Sequence, residues 1–341
     1  MRTLRFGRSR ASHARAAVVL MISLISGCSE RASFGMPDEI VVGTSAAVWT
    51  ALGPDVKAAL ETRTFTVRNE RIFHITYLPP DDPAWKDLRR MRQVLLIGPS
   101  GEPLIAEAMA RSGADDSGRT EVLQLHDVWA GNQRVTVALL PDNATPEVLK
   151  PLLPKIAELY REQLERSVQL GMTATPANQR LRHALQQAAG FTLDLPYSYQ
   201  EQGGDTDVRV FRDKEGGLSP VVRTIVVDSR ARDAVPWTPE EARAWRTQLA
   251  RTLNEPPLLT ETLSTAHRGT LRDHPIIRIQ GVWSSSPGEW PSAGPFIARM
   301  VQCPERVFLL DASLYAPADD KFEEMYRLEM ILDTFRCTTV A

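Results

Sequence analysis

The sequence predicts an α+β protein built as two layered α/β sandwich domains with mainly antiparallel sheets. Three observations lead there. Short apolar runs of strand length alternate with helices of amphipathic spacing along the whole chain. Hairpins alternate with isolated helices, an arrangement that fits layered α+β domains. The chain has 341 residues, more than a single core comfortably organises.

Residues 1–27 read as a leader. Arg2, Arg5, Arg8, Arg10 and Arg15 precede an apolar core from Ala16 to Ile25, and Ser26 and Gly27 sit just before Cys28. Basic, apolar and small segments in that order make an export signal that is cut away, too short to stay as a transmembrane helix. The run Leu24-Ile25-Ser26-Gly27-Cys28 has the form of a bacterial lipoprotein signal, in which the cysteine thiolate receives a diacylglyceryl group and becomes the first residue. Residues 28–37 are then a tether of about 30 Å at most. Two or three acyl chains hold far better than one, at ~0.8 kcal/mol per buried methylene. In an organism with two membranes, Ser29 after the cysteine fits the outer membrane, facing the periplasm.

The first domain is assigned to residues 38–172. It opens with the strand Glu39–Gly43, and Thr44-Ser45 caps a helix carrying Val48, Trp49 and Leu52. Strands follow at Arg71–Leu78 and Gln93–Ile97, with a short helix around Ala84–Arg90 between them. Glu121–Val128 and Gln133–Leu140 form a hairpin around Ala130-Gly131-Asn132. A long helix is expected from Thr145-Pro146 to Gly171, with its first turns disturbed by Pro151 and Pro154.

The second domain is assigned to residues 173–341. Thr175-Pro176 opens a helix closed by Gly190, with Leu181, Ala184, Leu185 and Ala188 as its apolar stripe. Strands are expected at Phe191–Leu195, Val208–Phe211 and Val221–Val227. Thr238-Pro239-Glu240-Glu241 is a capping box before a stripe of Ala242, Trp245, Leu249 and Leu253. The last strands are Ile276–Trp283, Pro295–Val301 and Val307–Tyr315, followed by a helix from about Asp320 to Arg336. That final strand and helix have similar lengths, so Cys337 returns near the turn that holds Cys303. An exported context permits a disulfide there; two separate buried thiols are the alternative.

Charge narrows the function. Loss of the leader removes five arginines and no acid, so 40 basic residues fall to 35 against 42 acids, a formal charge of −7. A moderately acidic exported chain is a poor candidate for binding nucleic acid or an anionic membrane through its surface.

The C-terminal half carries a family resemblance. Gly281-Val282-Trp283, Gly294-Pro295-Phe296, and Leu314-Tyr315-Ala316-Pro317 with Lys321 look like the Gly-x-Trp strand, Gly-Pro-Phe strand and Tyr-Ala-Pro turn of the domain-of-unknown-function 4837 family of bacterial lipoproteins. Phe191 to Tyr197, reading Phe-Thr-Leu-Asp-Leu-Pro-Tyr, resembles that family's opening of the second domain. The resemblance runs from about Asp38 to Phe335 and departs at Ser284–Trp290. It implies the fold and an envelope location, and no activity. More loosely, the order of the second domain resembles the PsbP-like sandwich, a fold of accessory and binding proteins.

Constellations with catalytic spacing are scarce. His267, Asp273 and His274 form the densest titratable cluster, but His-x6-His has no helical or hairpin spacing that shares a face, and the cluster reads as a solvated loop before a strand. Gly98-Pro99-Ser100-Gly101 lacks the nucleophile-elbow pattern and reads as a turn. Gly43-Thr44-Ser45 lacks the phosphate-loop lysine and reads as a helix cap. No catalytic residue, metal site or cofactor motif is assigned. Trp283, Phe296 and Tyr315 read as core, and Trp290 as an exposed aromatic suited to contact a partner. The reading that fits is a non-enzymatic, lipid-anchored envelope protein that binds an envelope protein or glycan. The alternative is an envelope hydrolase or glycan-processing enzyme with a site near His267, Asp273 and His274.

Overall fold

Residues 31–142, 144–174, 176–202, 208–215, 220–252, 264–285, 292–318 and 320–338 are described by the computed structural model. The first sheet begins with β1 (Glu39–Gly43), whose last residues lead into α1 (Ala46–Leu60). The Ser45 hydroxyl caps that helix by accepting from the Val48 N–H, and the Thr44 hydroxyl donates to the Ile97 carbonyl. The chain continues through the hairpin β2 (Arg63–Phe65) and β3 (Asn69–Arg71), β4 (His74–Leu78), the one-turn α2 (Trp85–Leu88), β5 (Gln93–Gly98), α3 (Pro103–Ser112), β6 (Glu121–His126) and β7 (Arg134–Leu139).

These strands lie in the order β4-β1-β5-β7-β6. β1 is parallel to β4 and β5, β5 is parallel to β7, and β6 meets β7 antiparallel as the hairpin signals foretold. The first sheet is therefore mainly parallel, because α1, α2 and α3 carry the chain back between its strands. The antiparallel expectation holds for the second sheet and for the molecule taken together. Leu95, Ile97, Val42 and Ile40 face α1 and the next long helix on one side, and Val94, Leu96 and Val41 face α3 on the other. Buried on both faces, these strands are near-continuous apolar runs, the composition that parallel sheets need.

The long helix α4 (Leu153–Ala174) follows a 3-10 turn at Pro146–Leu152, which accommodates Pro151. It continues through Gly171 to Ala174 rather than ending at the glycine. The next helix, α5 (Gln179–Ala189), is capped by Asn178, whose side chain accepts from Leu181 N–H, and not by Thr175-Pro176. Its C-cap Gly190 takes the left-handed conformation, as expected.

The second sheet comprises β8 to β16 without the two shortest pieces. β8 (Phe191–Thr192) is a fragment of the longer strand expected there; β9 (Gln200–Gln202), β10 (Arg209–Glu215) and β11 (Val221–Ala231) follow. After α6 (Pro239–Thr252) come β12 (Thr265–Leu271), β13 (His274–Ser284), β14 (Ala293–Gln302) and β15 (Arg306–Tyr315). Last are α7 (Phe322–Asp333) and β16 (Arg336–Cys337). Seven strands lie in the order β12-β13-β14-β15-β11-β10-β9, every pair antiparallel, while β16 pairs with β8. Thr238 caps α6 by accepting from the Glu241 N–H. Trp245, Ala242 and Leu249 pack that helix on one face of the sheet, and Leu328, Ile331 and Leu332 pack α7 on the other. Between α6 and the sheet, Arg246 donates to Asp311 at 2.9 Å with its guanidinium 3.3 Å from the Phe296 ring centroid. Burial holds Arg246 down to about 10 and raises the Asp311 carboxyl, each partly offset by the other's charge.

α7 joins the two halves. Its Leu328 face enters the second core, while Phe322, Tyr326 and Met330 pack against the α1–α4 core of the first sheet. Burial, followed by the nearby Glu165 carboxylate, pushes the Tyr326 phenol up to about 12.

Candidate functional site

A cavity of about 640 Å³ lies where α7 meets the start of the first sheet. Asp38 precedes β1 and His74 begins β4, and parallel pairing sets the two strand starts side by side. The His74 imidazole lies 3.4 Å from Asp320 and 3.9 Å from Asp38. Burial raises the Asp38 carboxyl, opposed by a hydrogen bond from its own backbone and by His74. From the second sheet Arg223 reaches the cavity wall, 2.6 Å from Glu324 and 3.2 Å from Asp213. Arg327 completes the chain of charges with Glu323 at 2.6 Å and Glu324 at 3.4 Å.

The β2–β3 hairpin closes this junction. Glu70 is buried and accepts the Lys321 N–H at 2.7 Å, with the Lys321 ammonium 3.4 Å away. Arg68 spans Glu70 and Asp320 at 3.6 and 2.9 Å. Local hairpin formation thus positions two charges against the turn that begins α7. The hairpin strands are only three residues long, too short for a periodic signal, which is why sequence reasoning missed the residues.

Chemically, the site offers charge and shape. Its carboxylates and guanidiniums sit in mutual ion pairs, and among the described residues no hydroxyl or thiol nucleophile is paired with the His74 imidazole. No group of three or more His, Cys, Asp or Glu among the described residues has metal-binding geometry.

Two smaller cavities flank the second core, each about 180 Å³. One is lined by Tyr199, Ser198, Asp213, Arg223 and Arg327, and burial pushes the Tyr199 phenol up. The other opens beside Cys303 and Cys337, which are bonded with Cα atoms 5.9 Å apart.

His274 lines that second small cavity, at the start of β13. His267 lies on β12 opposite Arg278 and is exposed, and Asp273 is exposed in the turn between them. The cluster is thus a hairpin and not a loop before a strand. His274 is opposite Leu271, four positions from His267, a separation of roughly 13 Å along the strand. The three side chains do not converge. Trp283 and Phe296 are buried, as expected of core aromatics, and Tyr315 packs at the edge of the same cluster. Cys28 and Trp290 lie outside the described residues.

The motifs behind the family resemblance form one packing unit. Trp283 stands opposite Gly294, its indole N–H donates to the Leu314 carbonyl at 3.2 Å, and its ring lies 6.2 Å from that of Tyr315. A Cβ on Gly294 would fall 1.9 Å from the Leu314 oxygen. These motifs therefore build the sheet rather than a reactive centre.

Residues 254–334 match the family described as "Domain of unknown function (DUF4837)", and the resemblance seen in the sequence is borne out over that segment. No curated protein matches the chain. A crystal structure from Bacteroides thetaiotaomicron aligns at 9% identity and a TM-score of 0.26, covering 45% of this chain and 46% of that one. The likeness thus spans less than half the length of that protein. LpqN of Mycobacterium tuberculosis, described as involved in cell envelope biogenesis, aligns at 14% identity and a TM-score of 0.27, covering 44% of this chain and 83% of its own.

Proposed function

We propose that the chain is a lipid-anchored protein of the cell envelope that binds a partner without catalysing its conversion. It is held through Cys28, on the periplasmic side of the outer membrane where two membranes exist. Residues 38–172 and 173–341 act as two domains joined by α7. The observation that carries the binding reading is the large charged cavity at that junction, whose titratable groups are occupied with one another instead of activating a nucleophile. The anchor reading rests on the Leu24-Ile25-Ser26-Gly27-Cys28 run of the leader, and among the described residues no helix is long and apolar enough to cross a membrane. The hydrolase alternative centred on His267, Asp273 and His274 loses its support because those side chains are spread along a hairpin.

Its partner is an envelope protein or glycan, recognised at the cavity mouth. A photo-reactive residue placed at Arg71 and, as control, at Glu158 on the exposed face of α4 tests this in intact cells. Adducts that form at Arg71, are absent at Glu158 and diminish with Cys28→Ser are expected. Equal labelling at both positions, or turnover of envelope glycans or esters by the purified chain, overturns the reading.

A further inference from the structure

We infer that the end of the first sheet where β1, β5 and β7 begin is a docking face for an anionic lipid surface. This inference rests on the lipid-anchor reading for its orientation, and its chemistry stands apart from it. Residues 31–36 lie across that end of the sheet, fixed by backbone hydrogen bonds. Gly131 N–H donates to Arg31 O at 3.1 Å and Ser33 N–H to Gly131 O at 2.9 Å; Arg92 N–H donates to Phe34 O at 2.7 Å. Gly35, at φ +92°, turns the chain so closely over Met91 that a Cβ would fall 2.5 Å from its methyl carbon. The segment is therefore held in one place, and what it displays is displayed deliberately.

It displays two apolar side chains. Phe34 is 41% exposed and Met36 57%; the other large apolar side chains this exposed, Val148, Leu170 and Tyr197, are dispersed along the chain and not paired two residues apart. Beside Phe34 the charge is opposite in sign to the molecule's, while Met36 borders the carboxylates Asp38 and Glu39 at the cavity. Arg31 is exposed, Arg90 stacks 5.9 Å from the Phe34 ring centroid, and Arg92 is hydrogen-bonded through its backbone to Phe34 and Arg134. Arg31, Arg90 and Arg92 have no carboxylate partner among the described residues, whereas Arg68, Arg71 and Arg89 nearby in sequence are paired. The carboxylates closest in sequence are Glu30, Asp38 and Glu39, the last accepting the Met36 N–H, with Asp87 and Asp127 on the flanking turns. An aromatic side chain flanked by arginines, with a thioether beside it, suits the headgroup boundary of a bilayer.

Chain length supplies the occupant. Arg31 is three residues from Cys28, so an acylated Cys28 holds it within about 11 Å of the acyl chains, and Phe34 within about 22 Å. Met36 also lines the large cavity, so seating this face brings the cavity mouth close to the headgroups.

The mature chain carrying Met36→Cys tests the inference, since Cys303 and Cys337 are bonded and leave the new thiol to react alone. An environment-sensitive dye there should shift to shorter wavelength and be quenched by spin-labelled lipid in phosphatidylcholine vesicles containing phosphatidylglycerol. The same dye at Val148→Cys, past the opposite end of β7, should stay in water. With Cys28→Ser, sedimentation with those vesicles should fall roughly fivefold for each arginine neutralised, as in Arg31→Gln, and fall with salt. The exposed Arg31 makes that variant safe for the fold. A Met36 dye that remains aqueous in the acylated, vesicle-bound chain overturns the docking face and leaves the anchor standing. An N-terminal peptide whose mass shows no lipid on Cys28 defeats the anchor reading instead; vesicle binding by the unacylated chain then decides the docking face, which falls if binding is absent or indifferent to Arg31.

Discussion

Gly294 and Gly171 show how differently two glycines serve one chain. At Gly294 a side chain would collide with a backbone oxygen at 1.9 Å and with the Trp283 indole at 2.6 Å. Neither can withdraw, because the indole is fixed by its bond to the Leu314 carbonyl and the carbonyl belongs to a strand. Gly294→Ala should therefore lose about 3–5 kcal/mol through overpacking, read as a lower urea midpoint at unchanged slope. Gly171 lies inside α4 with nothing within 4 Å of a would-be Cβ. There alanine relieves the helix of glycine's excess freedom, and Gly171→Ala should gain about 0.5–1 kcal/mol. If both variants moved the midpoint in the same direction, the assignment of one glycine to a forced contact and the other to an open helix face would be wrong. Sequence reading treated Gly171 as a helix end because glycine commonly terminates helices; the helix persists because Val168 and Leu164 ahead of it are held in the core.

At the scale of elements, the hairpins and helices with strong local signals were legible and those with weak ones were not. β6–β7 announced itself through alternating residues around Gly131-Asn132, and α6 through Thr238-Pro239. β12 was hidden, since its turn places Arg272 at φ 54° where glycine or asparagine ordinarily gives the signal, and most of its residues are exposed. α3 escaped because Glu102 caps it without a side-chain bond and only ten residues form it. Without α3 the parallel order of β5 and β7 could not be read. The candidate site was less legible still, since Glu70, Asp38, His74 and Arg223 come together only through tertiary contact. β16 is another element too short for any pattern, and its hold comes from the covalent bond of Cys337 to Cys303, 34 residues away. Closing a loop of that length restricts the unfolded chain by about 3–4 kcal/mol. Replacing both cysteines by serine should lower stability by about that amount under oxidising conditions, and reducing agent should then have no further effect. A double variant as stable as the parent would mean that packing of Phe335 on Phe191 and Phe308, with ring centroids 5.7 and 5.3 Å away, carries the C-terminus alone.

For the whole molecule, the question is whether the two sheets unfold as one. A chain of this length ordinarily divides into cores that melt separately, and this one has a mainly parallel sheet and an antiparallel one with different helices on each. What ties them is α7, one face in each core, and the Glu70–Lys321 pair that fixes its first turn. Unfolding either sheet alone would strip α7 of half its burial and leave Glu70 without its partner, so the intermediate is penalised from both sides. Calorimetry of the intact chain should accordingly give a single transition, with calorimetric and van't Hoff enthalpies equal. Phe322 and Tyr326 are half-buried and pack against the first core, which makes them the place to cut the coupling. Phe322→Ala with Tyr326→Ala should remove about 2–3 kcal/mol for each ring and split the melt into two transitions, the calorimetric enthalpy then exceeding the van't Hoff value. Two transitions in the unaltered chain would show that α7 belongs to the second sheet alone. The cavity at the junction would then be a contact between independent bodies, and its walls would lack the fixed spacing that a binding site between them requires.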